Sequence, residues 1–243
     1  MKIYTLGTSH GAAEKGRSCS GTLIEVGGVY YLFDCGGNME SKLTDMGMPI
    51  EKIRCVFISH MHEDHVGSLS GIVKRFNTYI YTGEVVEVYM PEQVGIDAFF
   101  GWLKALHFGK ADKYRIMLTK EGEVYSDENI TVTAIRTNHI MKGAFPSYAY
   151  MIESAEGRVL YTGDLNHEFD DYPSVVFEKD FDAIVCELVH FNVEKNLDTI
   201  IKSRAKKLIF THMSLDNIPK IEAAMDRFPF SVEIAQDGME FDV

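Results

Sequence analysis

The sequence predicts an α/β fold in which helices cover the faces of sheets, and three observations carry that reading. Short apolar runs of strand length recur along the whole chain, at 2–6, 22–26, 29–34, 53–59, 114–118, 130–137, 147–153, 158–162, 183–187, 207–211 and 239–243. Between them lie stretches with apolar residues at helical spacing, such as 66–76 with Val66, Leu69, Ile72, Val73 and Phe76. Several apolar runs also end in histidine or aspartate, where α/β folds gather their sites.

Each element has a local reason. Gly7-Thr8-Ser9-His10-Gly11 reads as a turn, and Gly27-Gly28 as the hairpin joining 22–26 to 29–34. Residues 39–46 have helix-forming composition and stop at Gly47. Asp64 stands where the N-cap of helix 66–76 belongs. Residues 78–90 read as further strands, and Pro91 as the start of a helix over 92–107. The Phe99, Phe100, Trp102, Leu103 and Leu106 group of that helix is assigned to core or pocket wall. Strands 147–153 and 158–162 pair across 154–157. Helices follow at 193–204 and 217–228, and Asp237-Gly238 reads as a hairpin turn before the last strand. The runs 55–61 and 207–213 echo each other: apolar residues, a hydroxyl residue, His, Met. The echo suggests two halves, approximately 1–127 and 128–243, each bringing a histidine to a common centre. With no linker or low-complexity stretch, 1–243 reads as a single domain.

Composition bounds the function. The 243 residues are 46% apolar and 25% charged, enough for one large core. The balance of 24 Lys+Arg against 36 Asp+Glu, net −12, argues against a basic face that grips nucleic acid. Cations held in a cleft could still admit an anionic substrate. Cys19, Cys35, Cys55 and Cys186 form no CxxC pair; Cys55 and Cys186 sit in apolar runs and read as buried free thiols. With no leader-like or membrane-spanning run, the expectation is a soluble cytoplasmic protein that makes no membrane contact.

The densest chemistry is Ile58-Ser59-His60-Met61-His62-Glu63-Asp64-His65. Residues two apart in an extended segment project to one side, so His60 and His62 can share an ion. Asp64 and His65 are adjacent and point elsewhere, which suggests a second ion. His139, Asp164 and His212, each at the end of an apolar run, bring the candidate ligands to seven, enough for two ions. Imidazole and carboxylate suit zinc first, with manganese and iron as alternatives.

This pattern resembles the metallo-β-lactamase superfamily, with its HxHxDH motif at His60–His65 and later His, Asp and His. Within it the chain is most similar to the ribonuclease Z-like branch, on Leu6-Gly7-Thr8-Ser9, Leu32-Phe33-Asp34-Cys35-Gly36, Ser147-Tyr148-Ala149-Tyr150, Tyr161-Thr162-Gly163-Asp164, Thr211-His212-Met213-Ser214 and Ala235-Gln236-Asp237-Gly238-Met239. The resemblance covers essentially the whole chain. It implies an αββα sandwich: two mixed sheets face to face, helices outside, metals at one edge. It also implies His60, His62 and His139 on one ion, Asp64, His65 and His212 on the other, and Asp164 bridging. A homodimer, and a phosphate contact from Ser147, are expected from resemblance alone.

That branch cleaves phosphodiesters, at the 3′ end of precursor tRNA or in small molecules such as cyclic nucleotides. Two departures bear on the choice. The branch's His-Glu-Ala-Thr segment is here Cys186-Glu187-Leu188-Val189-His190, so Glu187 matches the acid while Cys186 replaces the histidine. The later His-Ser-Thr segment is absent from 191–203, and there is no long Gly/Pro/basic arm. The expectation is therefore a small or nucleotide-like phosphodiester rather than tRNA. The alternatives are carboxylic-ester or lactone hydrolysis on the same site, or ribonuclease Z-type cleavage at the 3′ end of tRNA. Two cations roughly 3.5–4 Å apart stabilise a bridging hydroxide and clamp phosphoryl oxygens. Asp64 would orient that hydroxide. His190, with Glu187 orienting it, is the candidate proton donor to the leaving alkoxide. His10 and His167 are candidates for the pocket wall, and His107 for no role.

Overall fold

The computed structural model describes residues 1–78, 83–108 and 112–243. Its strands are β1 (Lys2–Gly7), β2 (Gly21–Val26), β3 (Val29–Phe33), β4 (Ile53–Phe57), β5 (Val86–Met90), β6 (Tyr114–Leu118), β7 (Gly122–Ser126), β8 (Ile130–Thr137), β9 (Ser147–Ser154), β10 (Gly157–Tyr161), β11 (Phe181–Leu188), β12 (Ala205–Met213), β13 (Ser231–Ile234) and β14 (Met239–Asp242). The α-helices are α1 (Met39–Asp45), α2 (Glu63–Val66), α3 (Leu69–Phe76), α4 (Gln93–Ala105), α5 (Val193–Ile200) and α6 (Ile218–Glu222).

The described strands form two seven-stranded sheets, ordered β14-β1-β2-β3-β4-β5-β6 and β13-β12-β11-β10-β9-β8-β7. Strand periodicity then builds four layers. In β3 and β4, Tyr31, Phe33, Cys55 and Phe57 face the other sheet, while Leu32 and Val56 face the helices with Leu69, Ile72 and Phe76 of α3. In β11 and β12, Val185 and Ile209 point between the sheets, while Ile184, Cys186, Leu208 and Phe210 pack outward with Leu197 of α5. Strands covered on both faces read as unbroken apolar runs, which is why they stand out in the sequence. The result is the expected αββα sandwich.

Both sheets are mixed in the same way. Antiparallel joints run from β14 to β3 and from β7 to β10. Parallel joints then run from β3 to β6 and from β10 to β13. Position for position, β4 therefore matches β11. The echo between 55–61 and 207–213 links β4 to β12, strands that are not equivalent.

Several local expectations need correction. Residues 63–76 form two short helices, and Asp64 sits within α2 rather than at its N-cap, which is His62. Pro91 precedes the N-cap Glu92 of α4 instead of opening the helix. On α4, Phe99 and Leu103 are buried, but Phe100, Trp102 and Leu106 are exposed and lie outside the core. Helix 217–228 reduces to α6 flanked by 3-10 turns. Asp237-Gly238 is no hairpin: it carries the chain from β13 in one sheet to β14 in the other. The strand expected over 78–90 is β5 in its last part, and 79–82 lie outside the described residues. All four cysteines are free and buried.

Candidate metal centre

The strands that deliver the site end on one edge of the sandwich: β4 leads to His60–His65, β8 to His139, β10 to Asp164, and His212 lies near the end of β12. Asp34 and His212 take left-handed backbone, with φ 59° and 43°. Such conformations cost about 1–3 kcal/mol outside glycine and persist where surrounding structure holds them. Gly163, at φ 56°, lets the chain turn into Asp164 where a Cβ would lie 2.8 Å from Ser59 Cβ and 2.9 Å from Tyr148 O.

In the first group, His62 Nδ1 lies 3.0 Å from His60 Nε2 and 3.2 Å from His139 Nε2. Asp164 Oδ2 is 3.6 Å from His60 Nε2 and 3.5 Å from His139 Nε2. The far nitrogens fix the tautomers. Ser59 Oγ donates to Asp34 Oδ2 and so accepts from His60 Nδ1 at 3.0 Å. His139 Nδ1 donates to Leu165 O at 3.0 Å. Lone pairs on His60 Nε2 and His139 Nε2 therefore converge on His62 Nδ1. Nitrogens around a tetrahedral zinc stand about 3.3 Å apart, the spacing seen here.

In the second group, His65 Nε2 lies 3.5 Å and His212 Nε2 3.9 Å from Asp64 Oδ2. Asp164 joins it, with Oδ1 3.3 Å from His65 Nε2 and Oδ2 3.4 Å from His212 Nε2. His65 Nδ1 donates to Asp34 Oδ2 at 2.7 Å, and His212 Nδ1 pairs with Ser20 Oγ at 2.6 Å. His65 Nε2, His212 Nε2 and Asp164 Oδ1 are buried with no hydrogen-bond partner. Buried polar atoms left unpaired are costly, and a shared cation would satisfy all three. The donor set thus fits two divalent ions with Asp164 between them.

In the first group, electrostatics agree. Burial lowers the His60, His62 and His139 pKa values and keeps these imidazoles neutral, as ligands must be. Burial opposes charge on His65 too, but Asp164 and Asp34 on its two sides outweigh it and raise its pKa. Burial also opposes charge on Asp164, yet His212, His65 and His60 hold its carboxyl well below the usual range.

Glu187 is buried, and its oxygens accept from the backbone N–H groups of Leu165, Val189 and His190. Its Oε1 also meets His190 Nδ1 at 3.1 Å. His190 Nδ1 is 3.6 Å from Asp164 Oδ2, and its ring stacks on His212 at 5.6 Å. Burial lowers its pKa, but Glu187 and Asp164 outweigh that and push it up to about 9. Asp164, His190 and His212 also lie close enough to share an ion.

Among the remaining candidates, His10 sits 6.4 Å from the His212 ring, and His167 6.0 Å from the His190 ring. Ser147 opens β9 and is buried opposite the end of β8, its hydroxyl accepting from Thr137 Oγ1 and donating to Thr137 O. His107 follows the C-cap Leu106 of α4, its N–H donating to Lys104 O at 3.0 Å. Sequence reasoning left out the roles of Asp34, Ser20 and Ser59. Asp34 ends an apolar run just as Asp164 does, and that signal could have found it. Gly11 N, which donates to Asp64 Oδ2 at 2.7 Å, carried no signal.

A family model described as Anti-Pycsar protein Apyc1 matches residues 1–224. The Anti-Pycsar protein Apyc1 of Bacillus phage vB_BsuM-Goe3 is 25% identical over 264 aligned residues, covering 98% of this chain and 97% of that protein. Ribonuclease Z of Brevibacillus brevis is 30% identical over 159 residues, covering 64% of this chain and 48% of that protein. The chain spans about half the length of the ribonuclease Z relatives it matches. In structure it resembles the metallo-β-lactamase fold protein YhfI from Bacillus subtilis, with TM-score 0.78 and 23% identity, each chain 99% covered. Relatives of this chain are metal-dependent hydrolases, and with its sandwich and its His/Asp cluster the chain belongs to the Anti-Pycsar protein Apyc1 family of metallo-β-lactamase-fold proteins.

Proposed function

We propose that the chain is a metal-dependent hydrolase of small or nucleotide-like phosphodiesters. The observation that carries this is the convergence of His60, His62, His139, Asp64, His65, His212 and Asp164, with buried atoms of the last three left unpaired. His60, His62 and His139 would hold one ion, Asp64, His65 and His212 the other, and Asp164 both; zinc suits the set, as do manganese and iron. When bound, such ions activate water near neutral pH and neutralise phosphoryl charge. The remaining work falls to this chain's own groups. Gly11 N–H fixes Asp64 Oδ2, so the carboxylate can orient an incoming water. Glu187 holds His190 by ring and backbone, leaving Nε2 to protonate a departing alkoxide.

The likeness to ribonuclease Z supports phosphodiester chemistry and makes precursor tRNA the second reading. Against it stands the net charge of −12, which opposes binding of a polyanion. The test is a panel on zinc- or manganese-loaded protein: cyclic nucleotides, bis(p-nitrophenyl) phosphate, precursor tRNA and a lactone. Turnover of the first two above the others is expected. Turnover of the lactone alone would overturn the proposal, and specific 3′ cleavage of precursor tRNA would favour the second reading.

A further inference from the structure

His139 and Asp164 must meet at one ion, yet they come from strands that are not neighbours. They leave β8 and β10, and β9 lies between these two strands in the sheet. Two strand spacings put the ends roughly 9–10 Å apart, and no ladder hydrogen bond joins them. The span is closed by Asp171, a buried carboxylate outside both ligand groups. Its Oδ2 accepts from Asn138 N, the residue before His139, at 2.8 Å. Both oxygens accept from Asn166 N, two residues after Asp164, at 3.1 Å each.

The neighbouring peptide is gripped as well. Leu165 N donates to Glu187 Oε1 at 2.9 Å, and Leu165 O accepts from the His139 ring at 3.0 Å. Behind the turn, Phe169 stacks on Tyr172 at 4.6 Å and packs on Phe191 at 4.2 Å, which anchors Asp171 in the outer core. A surface aspartate serving only its own turn would bond within that turn. This one reaches from residue 171 back to residue 138.

We propose that Asp171 is a positioning residue that ties the loop after β8 to the loop after β10 and so sets His139 against Asp164. The inference rests on the metal reading above, since it concerns the ion of His60, His62, His139 and Asp164. Asp171→Asn keeps shape but replaces one acceptor oxygen with an N–H donor that faces backbone N–H groups.

The experiment is zinc titration of metal-free chains against a chromophoric chelator, with metal-free melting measured alongside. Wild-type chain is expected to bind two ions, and Asp171→Asn to hold one as tightly as wild type and the other about 10–100-fold more weakly. The weakened site is the one that His139→Ala weakens, not the one that His212→Ala weakens. Metal-free melting of Asp171→Asn should stay near wild type. Wild-type affinity at both sites in folded Asp171→Asn would overturn the proposal, as would equal weakening of both. Asp171→Ser, which keeps one acceptor, is the second variant and should show the same selective loss. If neither variant folds, the carboxylate serves the fold itself and the proposal fails. Fewer than two ions on the wild-type chain would instead sink the metal reading.

Discussion

At the scale of single residues, four of the candidate ligand imidazoles, those of His60, His65, His139 and His212, are aimed by what their other nitrogen touches. Asp34 shows the cost of reading ligands alone: its carboxylate also takes Ser59 N and Tyr161 OH, each at 2.7 Å. The ligand positions were legible because histidine and aspartate at strand ends are rare and costly without a partner. Ser20 and Ser59 were not, since a serine beside a strand has many ordinary uses. Ser147 had a role from resemblance alone, and its hydroxyl is bonded to Thr137. His62→Ala removes the nitrogen on which two others converge, so hydrolysis of bis(p-nitrophenyl) phosphate should fall at least about 100-fold. His190→Ala should slow phosphodiesters with alkoxide leaving groups far more than p-nitrophenyl esters, because p-nitrophenolate departs without a proton. Equal slowing in a paired kinetic comparison would remove His190 as donor.

At the scale of elements, most strands were legible, β7 and β13 excepted, and their connections were not. Apolar runs report burial on two faces, whereas the break between α2 and α3, or the passage of Asp237-Gly238 between sheets, depends on partners far along the chain. Asp237 accepts from Thr8 N at 2.9 Å and Ser18 N at 2.7 Å, contacts no local pattern encodes. Gly36 packs so closely that a Cβ would lie 2.0 Å from Asp64 O. Gly36→Ala should therefore displace Asp64 and weaken metal binding more than it lowers the metal-free melting temperature, as parallel titration and thermal unfolding can check.

Asp127 joins the sheets. Its carboxylate accepts from Tyr31 OH at 2.7 Å in one sheet and Tyr125 OH at 2.8 Å in the other, and from the N–H groups of Asn129 and Ile130. Burial raises its pKa, but those donors outweigh it and hold the carboxyl below the usual range. A depressed folded-state pKa stabilises fully above the unfolded value near 3.9, and that contribution is lost as pH falls through the folded one. Asp127→Asn should lower stability at pH 7 by about 1–3 kcal/mol, with the gap to wild type narrowing as pH falls below about 4. A gap that is constant with pH in chemical denaturation would contradict this.

At the scale of the whole molecule, two sheets of matching strand order meet face to face and bring the ends of β4, β8, β10 and β12 to one edge. Among the described residues no helix is long and apolar enough to cross a membrane. The sandwich could be expected from the site motif through resemblance, while the non-equivalence of β4 and β12 could not, because seven residues of echo carry no topology. On the function proposed above, a chain of net charge −12 needs a local source of positive charge to take an anionic substrate, and ions held by the seven candidate ligands would supply it. Metal content is the direct measure of that claim. Folded chain, stripped by chelator, reloaded and freed of excess, should carry about two divalent ions per chain by elemental analysis. One ion or none on a chain with intact fold would contradict the account.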